Sequence, residues 1–464
     1  MRELPTSASL LLTEDCNLRC TYCFECHNNN RMSNEVARKA IDWLSDNAVK
    51  MGSGSFSVLL FGGEPLLNID TIEETLAYGI QVGAEKELRF TASMVTNATV
   101  MNDRIYNVLR RYRDQVNLGI QLSVDGIPEV QDRYRLTVAG KGSWHMVEKN
   151  LPRFKELYDN NPDDGRLSIH GCINKETMPY LYKNYKFFRE DLGFKRIWFL
   201  PVAEEKWDMD DVKIYREENQ KIFDDYIAEI AESMDIRDSY NYAPFDRYDG
   251  LGCRPDAPCG AGRSFVTITA EGDIYPCHQI YFNDPEKDTY IGNVMDGELD
   301  EDRRRIFEQY EEEDIGCGDC PNTQCYRCLA ANYVYNGSLF SQIRGVYCAL
   351  SGVDNYFQRK LKEALENLGL LSKETPAETM DCLCNSREGL VKDGCDIVNR
   401  QENCQSGNNP DNPGCLCNVN LGNAPANNEP QPESTIPIEF QLAEIREQLL
   451  MINSKLDMLL GGEV

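Results

Sequence analysis

The chain has 464 residues, a formal net charge of −28 from 48 basic and 76 acidic side chains, 19 cysteines and 4 histidines. That length suits roughly two to four domains with ample core, and 41 % hydrophobic with 27 % charged residues is the composition of a folded chain. The acidic balance speaks against a nucleic-acid surface, which needs clustered Lys and Arg, and no run of about 18 apolar residues offers a membrane span.

The opening Met1-Arg-Glu-Leu-Pro lacks the apolar core of a signal peptide. The expectation is a cytoplasmic protein in a reducing compartment, where so many thiols point to metal rather than to disulfides. Apolar runs at 9–13, 56–61, 88–96, 117–124, 167–173 and 196–201 read as strands, and helical spacing at 34–49, 69–82, 103–113, 146–158, 178–190 and 212–233 separates them. Alternating strands and helices predict a parallel sheet with right-handed crossovers. The fold class is α/β, a partial (β/α)6 TIM-like barrel over 1–240, and its chemistry belongs at the carboxyl ends of the strands. From about 245 the pattern turns to short strands, Gly and Pro turns and cysteines, which predicts a metal-stapled domain over 241–372. Residues 373–437 are rich in Asn, Pro and Gly and read as a linker. In the last segment, 438–464, Leu442, Ile445, Leu449, Ile452, Leu456 and Leu459 step by 3 and 4. Two readings stand for that coiled-coil-like helix: docking on the body, or a seam for a homo-oligomer.

The cysteines fall in blocks. Cys16-Asn-Leu-Arg-Cys20-Thr-Tyr-Cys23 follows the first strand. Three soft thiolates at this spacing can cap three irons of a cubane and leave the fourth open. A structural zinc site, with Cys26 or His27 as fourth ligand, is the competing reading. Cys253, Cys259 and Cys277 come next, then Cys317, Cys320, Cys325, Cys328 and Cys348. Eight such cysteines suit two more cubanes, against the alternative of a zinc ribbon. Cys172 stands alone. Cys382, Cys384, Cys395, Cys404, Cys415 and Cys417 lie in the linker, where a further metal site, a substrate-like segment and plain tethered thiols are all open readings.

The first cluster resembles the CxxxCxΦC motif of the radical S-adenosylmethionine (radical SAM) enzymes, with Tyr22 as the aromatic. Phe61-Gly62-Gly63-Glu64-Pro65 resembles the family's GGEP element, and Thr96-Asn97 ends the third strand. Ser123-Val-Asp125-Gly126, Asp132-Arg-Tyr-Arg135 and Gly142-Ser143 resemble a segment of the peptide-maturing branch, with Gln131 where that branch usually has His. The region of Cys259-Gly-Ala-Gly262 and Ala270-Glu-Gly-Asp-Ile-Tyr-Pro-Cys277-His278 resembles the SPASM domain, which follows the barrel in radical SAM peptide and protein maturases.

The resemblance implies SAM and three 4Fe-4S clusters as cofactors. Cys16, Cys20 and Cys23 would hold the SAM-binding cluster. Phe24, Gly62, Gly63, Glu64, Asn97, Ser123 and Arg135 would bind SAM, with the GGEP loop at its amino group and Ser123 and Arg135 at its carboxylate and ribose. Cys259, Cys277 and Cys328, with Cys253, would hold one auxiliary cluster; Cys317, Cys320, Cys325 and Cys348 would hold the other. The spacing leaves a swap of Cys325 and Cys328 open. The implied activity is hydrogen abstraction by a 5′-deoxyadenosyl radical from a Cys-containing ribosomal precursor peptide, ending in a Cys sulfur-to-carbon thioether. A reduced flavodoxin or ferredoxin-type protein would supply electrons. Formylglycine formation is the alternative; enzymes of that branch carry Asp after the cysteine at position 277, where this chain has His278, a candidate base. Other peptide crosslinks, epimerisation, and a non-enzymatic iron–sulfur electron carrier complete the set.

Overall fold

The computed structural model describes residues 3–236, 241–242, 245, 259–308, 328–339 and 346–371, all within the compact unit Met1–Ser406. Cys253, Cys317, Cys320, Cys325, the six tail cysteines, the linker and the heptad helix lie outside the described residues.

The six expected strands form, joined by two short ones. They are β1 (Ser7–Thr13), β2 (Leu18–Cys20), β3 (Ser55–Gly62), β4 (Arg89–Thr96), β5 (Gly119–Ser123), β6 (Arg135–Thr137), β7 (Leu167–Ile173) and β8 (Ile197–Pro201). Helices α1 (Asn34–Met51), α2 (Ile69–Lys86), α3 (Asp103–Tyr112), α4 (Pro128–Tyr134), α5 (Trp144–Leu157), α6 (Leu181–Lys186) and α7 (Met209–Ser233) alternate with them. β1, β3, β4, β5, β7 and β8 lie side by side and all run parallel. This is the α/β order expected from the sequence. In the cysteine-rich region, β9 (Phe265–Ile268), β10 (Asp273–Tyr275), β11 (Gly292–Asn293) and β12 (Glu298–Leu299) continue the same sheet. β9 pairs parallel with β1, from Ser7↔Phe265 to Leu10↔Ile268, and the remaining strands turn antiparallel. β1 therefore sits between the barrel and the cysteine-rich strands.

Local sequence explains the elements. Ser33 caps α1 by accepting from the Val36 amide, and Gly52, at φ 68°, ends it in the left-handed region. Val36, Ala37, Ala40, Ile41, Leu44 and Ala48 fall on its buried face at helical spacing. The helical pattern expected at 178–190 breaks into a 3₁₀ turn Met178–Tyr180, α6 and a π turn Phe187–Asp191; Pro179 opens it without an N–H to donate.

The strands carry two faces with period two. On β3, Phe56, Val58, Leu60 and Gly62 are buried, while Ser55, Ser57, Leu59 and Phe61 are half-buried. β4 buries Phe90, Ala92, Met94 and Thr96 in the same way. The buried side chains join one core with α1 and α2. The opposite face carries Ser57 of β3, Ser93 of β4, Gln121 of β5 and His170 and Cys172 of β7, all only half-buried. One face is dry; the other keeps polar side chains and is where chemistry has room. Among the described residues no helix is long and apolar enough to cross a membrane.

Packing of α2 on β4 depends on Gly79. A Cβ there would stand 2.3 Å from the Phe90 ring, which itself packs on Phe56 at 5.0 Å. Gly79→Ala is expected to lower stability by about 1–3 kcal/mol through overpacking, despite the helix propensity gain of about 1 kcal/mol. Adding Phe90→Leu should recover most of the loss. Urea unfolding of both variants checks this; a stabilised single variant would contradict it.

Candidate functional site

The site is built where β1, β3 and β4 end. After Thr13 the chain leaves the sheet, and Gly62 and Gly63 lie directly against it. Gly63 donates from its backbone to Thr13 O at 2.9 Å, and Glu64 to Asp15 O at 3.0 Å. A Cβ on Gly62 would lie 2.2 Å from Thr13 O, and one on Gly63 2.4 Å from Asp15 O. Gly62 also has φ 122°, a region closed to other residues. Only two glycines let this loop sit on the segment that leads into Cys16.

Glu64 turns inward and is fully buried. Its Oε1 accepts from Thr96 Oγ1 at 2.8 Å and the Leu66 amide at 3.1 Å, and its Oε2 accepts from the Asn97 amide at 2.8 Å. Burial pushes its carboxyl up to about 7 against these hydrogen bonds. Asn97 then reaches the cysteine loop: its Nδ2 donates to Asn17 Oδ1 at 3.0 Å and stands 3.7 Å from Cys16 Sγ. The GGEP element, Asn97 and Cys16 are thus one connected unit.

The other side of the cysteine loop is held by a second sheet that the sequence reading did not anticipate. β2 and β6 pair antiparallel, with Cys20 opposite Arg135. Arg135 and Asp125 form a buried ion pair, Nε to Oδ1 at 2.9 Å. Tyr22 donates its hydroxyl to Asp125 Oδ2, and the Arg135 guanidinium lies 5.6 Å from the Tyr22 ring centroid. Cys172 joins the group, its amide on Asp125 Oδ1 at 3.0 Å and its Sγ 3.8 Å from Arg135 Nη2. Gln131 accepts from the Asp125 amide at 2.9 Å and donates to Ser143 Oγ at 3.0 Å. Ser123 ends β5 and is buried beside this network. The signal for Asp125 as the hub was its place in Ser123-Val-Asp125-Gly126, a segment to which the sequence reading gave roles at Ser123 and Arg135 only.

Cys16 is buried, Cys20 half-buried and Cys23 exposed. Desolvation raises the Cys16, Cys20 and Cys23 thiols. Each of Cys16 and Cys23 is raised further by the charge of Cys20, so the three sit within one another's field. Thiolates there need compensating positive charge, which iron supplies. The residues fit the expected cluster in donor chemistry and grouping. Among the described residues no three Cys, His, Asp or Glu side chains converge to hold a single metal ion; a cubane spreads its thiolates over separate irons.

Cys259, Cys277 and Cys328 form a second grouping. Burial raises Cys277 to about 12 and Cys328 to about 11, and Cys277 is raised further by Cys328 and Cys259, Cys328 by Cys259. Cys348 lies half-buried on the helix Val346–Asn367. Chain neighbours of the two groupings carry aromatic rings that meet. Phe24, next to Cys23, faces His278 at 6.5 Å and Phe282 at 5.9 Å, and Phe61 faces His278 at 4.3 Å. Desolvation pushes the His278 imidazole down to about 4, so it is neutral, and its buried Nδ1 has no hydrogen-bond partner.

The Asp125 network makes a measurable claim. Asp125→Asn leaves the Arg135 charge buried without a counter-charge and is expected to cost about 3–5 kcal/mol of stability. Tyr22→Phe removes one donor to a buried carboxylate and should cost about 1–3 kcal/mol. Urea unfolding reads both, and two wild-type midpoints would contradict the network.

Residues 10–187 match the family model described as the Radical SAM superfamily. The cysteine-type anaerobic sulfatase-maturating enzyme of Clostridium novyi is 26 % identical over 339 residues, covering 68 % of this chain and 85 % of that one. The antilisterial bacteriocin subtilosin biosynthesis protein AlbA of Bacillus subtilis is 26 % identical over 303 residues, 63 % of this chain and 58 % of that one. In structure, native anSMEcpe with bound AdoMet and the Cp18Cys peptide superposes with a TM-score of 0.61 at 19 % identity, over 79 % of this chain and 100 % of that one. That likeness carries the fold. With the α/β barrel order and the motif order at its strand ends, the family match makes residues 10–187 a radical SAM domain.

Proposed function

We propose that the protein is a radical SAM peptide maturase that joins a cysteine sulfur of a precursor peptide to a carbon of another residue. The observation that carries this reading is an aromatic wall built by chain neighbours of the two cysteine groupings. Phe24 follows Cys23 in the chain and His278 follows Cys277, and their rings stack at 6.5 Å, with the Phe61 ring 4.3 Å from His278.

When bound, SAM and its cluster would supply one-electron chemistry able to remove hydrogen from an unactivated C–H bond. This chain's residues would provide the rest. The half-buried polar face of the barrel strands would receive the peptide. His278, whose buried Nδ1 has no hydrogen-bond partner, would hydrogen-bond the substrate thiol and orient its sulfur. Cys259, Cys277 and Cys328, with Cys253, would hold an auxiliary cluster beside that thiol. Cys317, Cys320, Cys325 and Cys348 would hold the second, in a SPASM arrangement. Phe24 and the aromatic wall would keep water from the reacting carbon.

Formylglycine formation is the second reading, favoured by the span of the Clostridium novyi relative, 85 % of whose length is covered. His278 in the place of that branch's Asp speaks for the thioether. The peptide is taken to be cysteine-containing and the electron donor a flavodoxin or ferredoxin-type protein. The heptad of 438–464 would serve self-association.

Incubating the reduced, reconstituted protein and SAM with synthetic cysteine-containing peptides, followed by mass spectrometry, separates the readings. Thioether formation removes two hydrogens, keeps the sulfur and blocks one thiol to alkylation. Formylglycine formation replaces the sulfur with oxygen and would overturn the proposal. His278→Ala should lower product about a hundredfold by misplacing the thiol.

A further inference from the structure

Glu14 follows β1 directly and is buried, 1 % exposed. Its carboxylate is gripped from two sides. Oε1 accepts from Tyr281 Oη at 2.8 Å. Oε2 accepts from the Asn28 side-chain amide, and the Asn30 amide stands 3.5 Å from the same oxygen. The Glu14 backbone N–H donates to Asn30 O at 3.0 Å. A carboxylate makes stronger hydrogen bonds than a neutral acceptor does.

The two sides belong to the two halves of the site. Asn28 lies on the segment that leaves Cys23, and its backbone N–H donates to Cys26 O at 3.0 Å. Tyr281 lies one turn into helix α8 (His278–Asn283), which begins directly after Cys277. Its backbone N–H donates to Cys277 O at 2.9 Å. The tyrosine ring is itself held, 4.8 Å from Tyr275, 4.9 Å from Phe282, and with the Lys287 ammonium 3.7 Å over its face. One side chain thus joins the cysteine loop to a tyrosine 267 positions away in the chain. The ring contacts of Phe24 with His278 and Phe282 cross the same junction. Apolar contacts are non-directional, whereas hydrogen bonds fix distance and angle.

We propose that Glu14 is a clamp that sets where Cys277 and His278 stand relative to the Cys16–Cys23 loop. It is a positioning residue and acts through Tyr281 on one side and Asn28 on the other. A thioether forms where the abstracted carbon and the substrate sulfur meet, and the clamp joins the two segments that present them. With the clamp cut, hydrogen abstraction continues and bond formation falls behind it. The inference rests on the peptide-maturase reading above, and its test separates the two.

Three full-length, anaerobically reconstituted variants are compared with the wild type. Tyr281→Phe removes one hydroxyl and keeps the ring, Asn28→Ala cuts the other arm, and the double variant cuts both. Hydrogen–deuterium exchange read by mass spectrometry needs no substrate. Tyr281→Phe is expected to speed exchange of residues 24–30 about tenfold, and Asn28→Ala to do the same for α8. Exchange altered on the mutated side alone would overturn the proposal. Turnover is then measured with SAM and synthetic cysteine-containing peptides. Each variant should form 5′-deoxyadenosine at the wild-type rate, with peptide KM and iron content unchanged, while crosslinked product per 5′-deoxyadenosine falls about tenfold or more. The double variant should lose no more than the worse single one, because either cut opens the same link. A wild-type ratio in the variants, losses that multiply in the double variant, or a parallel fall of 5′-deoxyadenosine and iron would overturn the proposal. Absence of any crosslink from the wild type would count against the reading on which the inference rests, and the exchange measurement would still decide the clamp.

Discussion

The contact on which the site depends is a backbone one. Gly62 and Gly63 sit on Thr13 and Asp15 so closely that neither has room for a Cβ, and two amide hydrogen bonds fix the seat. Everything that holds the cysteine loop in place starts there. The seat aims Glu64 inward, Glu64 gathers Thr96 and the Asn97 amide, and Asn97 reaches back to Asn17 and Cys16. Three strand ends are thereby locked into one register before any ligand is bound.

A second constraint comes from the opposite side. β6 pairs with β2 and places Arg135 across from Cys20, where Asp125 neutralises it. Tyr22, the aromatic of the cysteine motif, is tied to the same carboxylate. A buried ion pair is a poor source of net stability but a strong enforcer of one arrangement when its hydrogen bonds are complete. Here the carboxylate binds Arg135, Tyr22 and the Cys172 amide. The Arg135 charge is answered within the protein, which turns its side chain toward holding the loop. The loop is pinned at both ends, and Cys23, just past the second, is exposed.

The barrel strands and helices were legible because their hydrophobic periods are long and clean; β3 alternates over its whole length. The motifs were legible because glycines, cysteines and carboxylates recur at strand ends in a fixed order. What escaped the sequence has physical causes. β2 and β6 are three residues each, too short to show a period. The join of β9 to β1 links positions more than 250 residues apart, which no local pattern records. Cys259, Cys277 and Cys328 bear on one another electrostatically, while Cys253 lies outside the described residues.

The account stands or falls on whether the Cys16, Cys20 and Cys23 loop turns SAM into a hydrogen-abstracting agent. The direct measurement is 5′-deoxyadenosine and methionine released from SAM by the reduced, reconstituted protein under anaerobic conditions, beside a variant with all three cysteines replaced by Ala. The account predicts both products from the wild type and neither from the variant, with the variant still holding iron at its auxiliary cysteines. Equal 5′-deoxyadenosine from the two proteins, or none from a wild type carrying its full complement of iron, would contradict it.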